Sequence, residues 1–89
     1  MRNILITGAS NGLGLALAEH FLGKGDTVII NSRTSSKVSS IKKQIVASKF
    51  HGKHLIIKAD VKSRKEIQEL FVTASTQVGQ IEVLINCAG

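Results

Sequence analysis

The chain contains no proline, no tryptophan and no tyrosine, and its only Phe, Trp or Tyr residues are three phenylalanines. It holds a single cysteine, which excludes an internal disulfide and fits a reducing compartment, so a cytoplasmic location is expected. No apolar stretch approaches the length needed to span a bilayer, and no membrane partner is expected. Acid is also scarce: six Asp and Glu face twelve Lys and Arg, a formal charge of +6. From Lys37 to Lys65 the chain carries nine basic residues and one acid, Asp60, enough for a nonspecific electrostatic footprint on nucleic acid. Those lysines are spread over a helix, a strand and two loops, however, and no aromatic residues interleave with them for base stacking. A solvated helix face explains most of them, and nucleic acid is not the expected partner. At 89 residues the chain is one domain at most, a size that buries only about two-thirds of its unfolded surface.

What is present is concentrated at the start. Asn3 to Thr7 holds three consecutive aliphatics and a β-branched residue, a run that suits a strand buried on both faces. Gly8 ends it, and Gly12 and Gly14 precede an apolar segment of helical period running to Leu22. Strand, glycine-rich turn and helix start suit one chemistry, the binding of a pyrophosphate. Gly8 permits the sharp turn, and Gly12 has no Cβ to hold the backbone away from the ligand. Gly14 lets the helix pack closely on its strand, and the free N–H groups of the first helical turn face the phosphates. Arg2, the apolar stretch and Ala16-Leu17-Ala18 imitate a secretory signal. Asn3, Ser10, Asn11 and the glycines break the apolar core such a signal needs.

The remaining chain alternates strands with helices. The first helix should run from about Gly12 to Leu22, stopped by Gly23 and Gly25. Asp26 to Asn31 reads as the second strand, and the serines of Ser32-Arg33-Thr34-Ser35-Ser36 can cap a second helix that reaches about Phe50. Gly52 breaks that helix before a third strand, His54 to Ala59. Ser63-Arg64-Lys65-Glu66 reads as a capping box, in which Ser63 takes the Glu66 N–H and the Glu66 side chain reaches back. Behind it Ile67, Leu70, Phe71, Ala74 and Val78 form one apolar stripe, ended by Gly79. A fourth strand, Ile81 to Asn86, closes a β-α-β-α-β-α-β order. This predicts an α/β fold, the N-terminal half of a doubly wound parallel-sheet Rossmann domain occupying residues 1–89.

Read as Thr7-Gly8-Ala9-Ser10-Asn11-Gly12-Leu13-Gly14, the glycine loop closely resembles the cofactor loop of the short-chain dehydrogenases/reductases, and the resemblance extends over nearly the whole chain. It implies that Gly8, Ser10, Asn11, Gly12, Leu13 and Gly14 cradle a nicotinamide dinucleotide. The end of the second strand decides which one. An Asp or Glu there would bind both ribose hydroxyls of NAD and repel a 2′-phosphate. The sequence offers Asn31-Ser32-Arg33-Thr34, in which Arg33 can pair with phosphate through two N–H donors and Ser32 or Thr34 can add a hydroxyl. That favours NADP(H), with a solvated loop arginine as the alternative. Many NADP-preferring relatives also carry a basic residue before the second glycine, where this chain has Asn11. Asp60-Val61 matches the family position at which an acid accepts a hydrogen bond from the adenine amino group. A lone Asp otherwise serves in a loop or cap. Asn86-Cys87-Ala88-Gly89 matches the family's Asn-Asn-Ala-Gly. There Asn86 helps hold the central strands, while Ala88 and Gly89 let the backbone lie close to the cofactor ribose. Cys87 reads as a compact apolar residue rather than a nucleophile.

The family's chemistry also needs a Ser and a Tyr-x-x-x-Lys, and this chain has no tyrosine. His20, His51 and His54 do not replace them. The resemblance therefore implies the cofactor-binding part of an NADP(H)-dependent carbonyl or alcohol oxidoreductase, either a fragment or truncated product of a reductase or a remnant that no longer reacts, binding cofactor at most, with no catalytic residue and no metal ligand of its own. Full-length relatives are usually homo-oligomers, and this chain, with an aliphatic fourth strand left unpaired on one side, is expected to self-associate. The alternative function is a non-catalytic basic α/β module that binds nucleic acid or a protein partner. The family's substrates leave steroid, sugar, acyl-carrier and pigment reduction open.

Overall fold

The computed structural model describes residues 2–9, 12–48 and 52–87. Its elements follow the expected alternation: β1 (Asn3–Thr7), α1 (Gly12–Gly23), β2 (Thr27–Ser32), α2 (Ser35–Ser48), β3 (His54–Lys58), α3 (Arg64–Val78) and β4 (Val83–Asn86). The four strands form one sheet in the order β3-β2-β1-β4, and every neighbouring pair is parallel. Ile4, Leu5 and Ile6 lie level with Val28, Ile29 and Ile30 on one side and with Val83, Leu84 and Ile85 on the other. Because successive side chains of a strand point to opposite faces, this register sorts the aliphatics into two layers.

Ile4, Ile6, Val28 and Ile30 meet Ala18 and Leu22 of α1 and Ile41 and Ile45 of α2. Leu5 and Ile29 meet Leu70 and Ala74 of α3 on the opposite face. β1 and β2 are thus covered on both sides, which is why their sequences read as unbroken aliphatic runs rather than alternating ones. The outer strands are more open, and on β4 the register neighbour of fully buried Leu5, Leu84, is 55 % exposed.

Several element boundaries differ from expectation for identifiable reasons. β2 starts at Thr27 rather than Asp26, because the Asp26 carboxylate is taken by the Arg2 backbone N–H at 3.0 Å and the Arg2 guanidinium at 3.6 Å. The first helix includes Gly23, and the chain leaves it through bonds from Lys24 N–H and Asp26 N–H to the Phe21 carbonyl. β3 stops at Lys58, although Ala59 N–H still reaches the Ser32 carbonyl at 3.0 Å. β4 is shorter than Ile81 to Asn86, since Ile81 and Glu82 serve as the approach to the sheet. The α2 end expected near Phe50 lies outside the described residues.

Helix capping also departs from expectation in two places. Thr34, not a serine, caps α2: its Oγ1 accepts the Lys37 N–H at 3.4 Å. At α3 only half of the expected capping box forms. Ser63 Oγ accepts the Glu66 N–H at 3.3 Å, but Glu66 Oε1 takes the N–H of Asp60, not that of Ser63. Ser63 N–H is already engaged by the Asp60 carbonyl at 2.9 Å.

Candidate cofactor site

In a parallel sheet every strand ends at the same edge, so the C-terminal residues Thr7, Ser32, Lys58 and Asn86 lie along one rim. The loops that leave this rim carry the residues singled out in the sequence. The fold therefore brings the glycine loop, the β2 end, Asp60-Val61 and Asn86 to one side of the molecule, as ligand sites of open α/β sheets require.

The turn after β1 is tightly made. Gly8 has φ of 68°, a conformation that a residue with a Cβ rarely adopts. Its N–H donates to Asn31 Oδ1 at 3.3 Å, and the next amide, Ala9 N–H, donates to the Asn31 carbonyl at 2.9 Å. Ser10 and Asn11, two of the expected phosphate contacts, lie outside the described residues, as do Ala88 and Gly89. Gly12 begins α1 and is exposed, and Leu13 is 67 % exposed beside it.

The two helical glycines play different parts. A Cβ added at Gly14 would lie 2.7 Å from Ala9 Cα and 3.1 Å from Ala9 Cβ. The close packing expected of Gly14 against its strand is thus made against Ala9, within the turn. A Cβ at Gly12 would meet nothing within 4 Å. Among the described residues nothing packs against that position; the space beside its Cα is open, as a backbone that must approach a pyrophosphate would have it.

At the end of β2, Ser32 is fully buried, and its Oγ has no hydrogen-bond partner among the described residues. An unpaired buried hydroxyl costs free energy, on the order of 1–3 kcal/mol. A bound group that accepts or donates a hydrogen bond would remove that cost. Arg33 and Thr34 follow and are exposed, and no carboxylate stands in 31–34. Thr34 Oγ1 accepts the Lys37 N–H in the cap of α2 and lies 3.4 Å from Ser36 Oγ.

Asp60 shapes its own loop: Oδ1 accepts the Lys62 N–H at 2.9 Å, and its backbone engages Ser63 and Glu66. Val61 and Asn86 share a cavity of about 360 Å³ with Thr7, Ile67, Leu70 and Phe71. Asn86 Oδ1 accepts the Thr7 hydroxyl at 3.1 Å, which ties the ends of β4 and β1 together. Among the described residues no group of His, Cys, Asp and Glu could hold a metal ion, and no helix is long and apolar enough to cross a membrane.

Sequence reasoning overlooked Asn31 as a site residue. It is 1 % exposed, and its Nδ2 donates to the carbonyls of Ile57 at 3.2 Å and Ala59 at 3.1 Å. The available signal was a polar residue closing an otherwise aliphatic buried run.

A parallel sheet in the order 3-2-1-4, helices on both faces and a glycine turn leading into α1 define the first half of a doubly wound nucleotide-binding domain. Residues 2–89 match the family described as short chain dehydrogenase, and the chain belongs to that family. It is 36 % identical over 88 residues to the NADPH-dependent pterin aldehyde reductase of Arabidopsis thaliana, covering 99 % of this chain and 35 % of that protein. It is 40 % identical over 88 residues to the chloroplastic chlorophyll(ide) b reductase NOL of the same plant, covering 98 % of this chain and 25 % of the relative. Among solved structures, L-sorbose reductase from Gluconobacter frateurii, complexed with NADPH and L-sorbose, superposes with a TM-score of 0.87 at 26 % identity. That superposition covers 99 % of this chain and 33 % of the reductase. The chain thus spans about a third or less of the length of these relatives.

Proposed function

We propose that the chain is the dinucleotide-binding part of a short-chain oxidoreductase and that it takes NADP(H) in preference to NAD(H). In this reading the pyrophosphate lies over Gly12 at the N-terminus of α1, held by backbone N–H groups that need no side chain. Ser10, Asn11, Leu13 and Gly14 complete that cradle, the backbone of Ala88 and Gly89 lies close to the cofactor ribose, and Asn86 helps hold the central strands beside it. Asp60 and Val61 flank the adenine.

The observation that carries the NADP(H) preference is the end of β2. There Ser32, a buried hydroxyl with no partner among the described residues, is followed by an exposed guanidinium, Arg33, and no carboxylate stands in 31–34 to repel a 2′-phosphate. A guanidinium offers phosphate two parallel N–H donors, and such charge-assisted pairs are about twice as strong as neutral ones. The two similar reductases whose names carry NADPH support the same choice. When bound, the nicotinamide supplies or accepts hydride; the residues of this chain bind and orient the cofactor. Proton transfer to a carbonyl substrate has no donor here, because the family's tyrosine is absent from the sequence. Reduction of a carbonyl compound is accordingly the activity proposed for the longer protein type, and a reducing, cytoplasmic setting fits the single free cysteine.

Fluorescence titration of the chain with NADPH and NADH at fixed salt tests the reading. Tighter binding of NADPH, removed or reversed in Arg33→Asp, is the expected result. Equal affinities before and after the substitution would refute it. A binding midpoint for duplex DNA that shifts steeply with salt, without dinucleotide binding, would favour a basic module instead.

A further inference from the structure

Asn31 occupies an unusual place for a polar side chain. It lies at the middle of the sheet, between β1 and β3, and is 1 % exposed. Polar groups buried this deeply persist when every donor and acceptor is matched, and here they are. The side-chain oxygen accepts Gly8 N–H at 3.3 Å. The side-chain nitrogen spends its two hydrogens on Ile57 O and Ala59 O, at 3.2 and 3.1 Å. The backbone carbonyl of the same residue accepts Ala9 N–H at 2.9 Å.

One residue therefore grips two successive amides of the turn after β1 while anchored by its other end to β3. Only an amide side chain fits this pattern. An aspartate could accept from Gly8 but would set its carboxylate against two carbonyl oxygens, and an aliphatic residue would leave the Gly8 amide and both carbonyls without that partner. The position matters as well as the bonds. Asn31 immediately precedes Ser32 and Arg33, so the same residue that fixes the turn also begins the segment read above as the phosphate-selective end of β2.

We propose that Asn31 is a positioning residue for the cofactor loop, holding the Gly8–Ala9 turn in the one conformation that presents the start of α1 to a pyrophosphate. The proposal rests on the cofactor reading of this site and adds to it a residue that touches the turn rather than the ligand. The turn serves the part of the dinucleotide common to both cofactors. Loss of the side chain consequently weakens NADPH and NADH by the same factor, on the order of tenfold for a buried amide bond lost. A change at Arg33, by contrast, alters the ratio between the two.

The test combines amide hydrogen exchange with titration of NADPH and NADH, on the wild-type chain and on Asn31→Ala. In the wild type the Gly8 amide should exchange at least tenfold more slowly than in an unstructured chain. In Asn31→Ala, Gly8 should exchange faster relative to Ile29, and both cofactors should weaken equally. Free exchange at Gly8 in the folded wild type would overturn the proposal without any variant, which covers the case in which Asn31→Ala fails to fold. Unchanged affinity in a folded Asn31→Ala would refute the role while leaving the cofactor reading intact. Absence of dinucleotide binding by the wild type would refute that reading, and the role of Asn31 with it.

Discussion

Substituting Gly12 and Gly14 separately should divide ligand binding from folding, although the two residues are two positions apart on one helix. At Gly14 an added methyl would sit 2.7 Å from Ala9 Cα. Ordinary carbon contacts lie near 3.5–4.0 Å, so α1 and the turn must separate by roughly 0.8 Å or more. Ala9 cannot yield freely, because it is buried and its amide is bonded to the Asn31 carbonyl at 2.9 Å. Overpacking of this kind costs about 1–3 kcal/mol, and the better helix propensity of alanine returns about 1 kcal/mol. Gly14→Ala should therefore be destabilised by up to about 2 kcal/mol, lowering the melting temperature by as much as several degrees in a domain of this size. Gly12→Ala meets no packing neighbour within 4 Å among the described residues and should unfold within about 0.5 kcal/mol of wild type. Its bulkier counterpart Gly12→Val should keep its helix content and lose NADPH binding, since the side chain fills space the pyrophosphate needs. Urea unfolding followed by circular dichroism, together with NADPH titration of each variant, reads both effects. Equal stabilities for the two alanine variants would refute the packing argument, and retained affinity in Gly12→Val would show that the turn is merely structural.

Three further outcomes are expected. Replacing Arg33 with Asp should erase or invert the NADPH preference, and replacing it with Lys should keep the charge while losing the two-pronged phosphate contact, giving an intermediate ratio in the same titration. The Arg2 N–H bonded to Asp26 lowers that carboxyl below its ordinary pKa, burial opposes the shift and the Arg2 guanidinium adds to it. A carboxyl lowered in the folded state stabilises above its unfolded pKa and loses that contribution as pH falls through the folded value. Urea midpoints measured down into the acid range should thus fall less steeply in Asp26→Asn than in wild type, and parallel curves would show that the contact contributes nothing. Finally, Leu84 is 55 % exposed on an edge strand with no proline to blunt it, so the isolated chain should self-associate and Leu84→Lys should shift it toward monomer in sedimentation velocity. A wild-type monomer at high concentration would contradict this.

Much of the architecture was legible because the signals were long-range in period yet local in sequence. Three aliphatics closed by Thr7-Gly8 announce a buried strand and its turn, and the bounds of β1 agree with the expected ones. The α3 stripe was equally plain, with Leu70 and Ala74 now found in the core. What escaped reading depends on contacts between segments far apart in sequence. Asp26 looks like the first residue of a strand until Arg2, twenty-four positions away, takes its carboxylate. Glu66 satisfies the capping-box pattern, but the Asp60 amide competes for its side chain and wins. Gly52 reads as a helix breaker, whereas its N–H bonds the Leu22 carbonyl and an added Cβ there would strike the Asp26 carbonyl. Asn31 shows the same limit within the site. Its composition-level signal is one polar residue, and its importance lies in Gly8, Ile57 and Ala59, each of which comes from another strand or its end.

The most direct test of the central claim is a two-dimensional amide spectrum of the isotopically labelled chain, recorded during addition of NADPH. Saturable shifts are expected at Gly8, Gly12 and Gly14 and at Ser32 and Arg33, with NADH moving the glycines but leaving Arg33 largely in place. Shifts confined to the exposed lysine face of α2, around Lys42, Lys43 and Val46, or no shifts at any concentration, would contradict the claim.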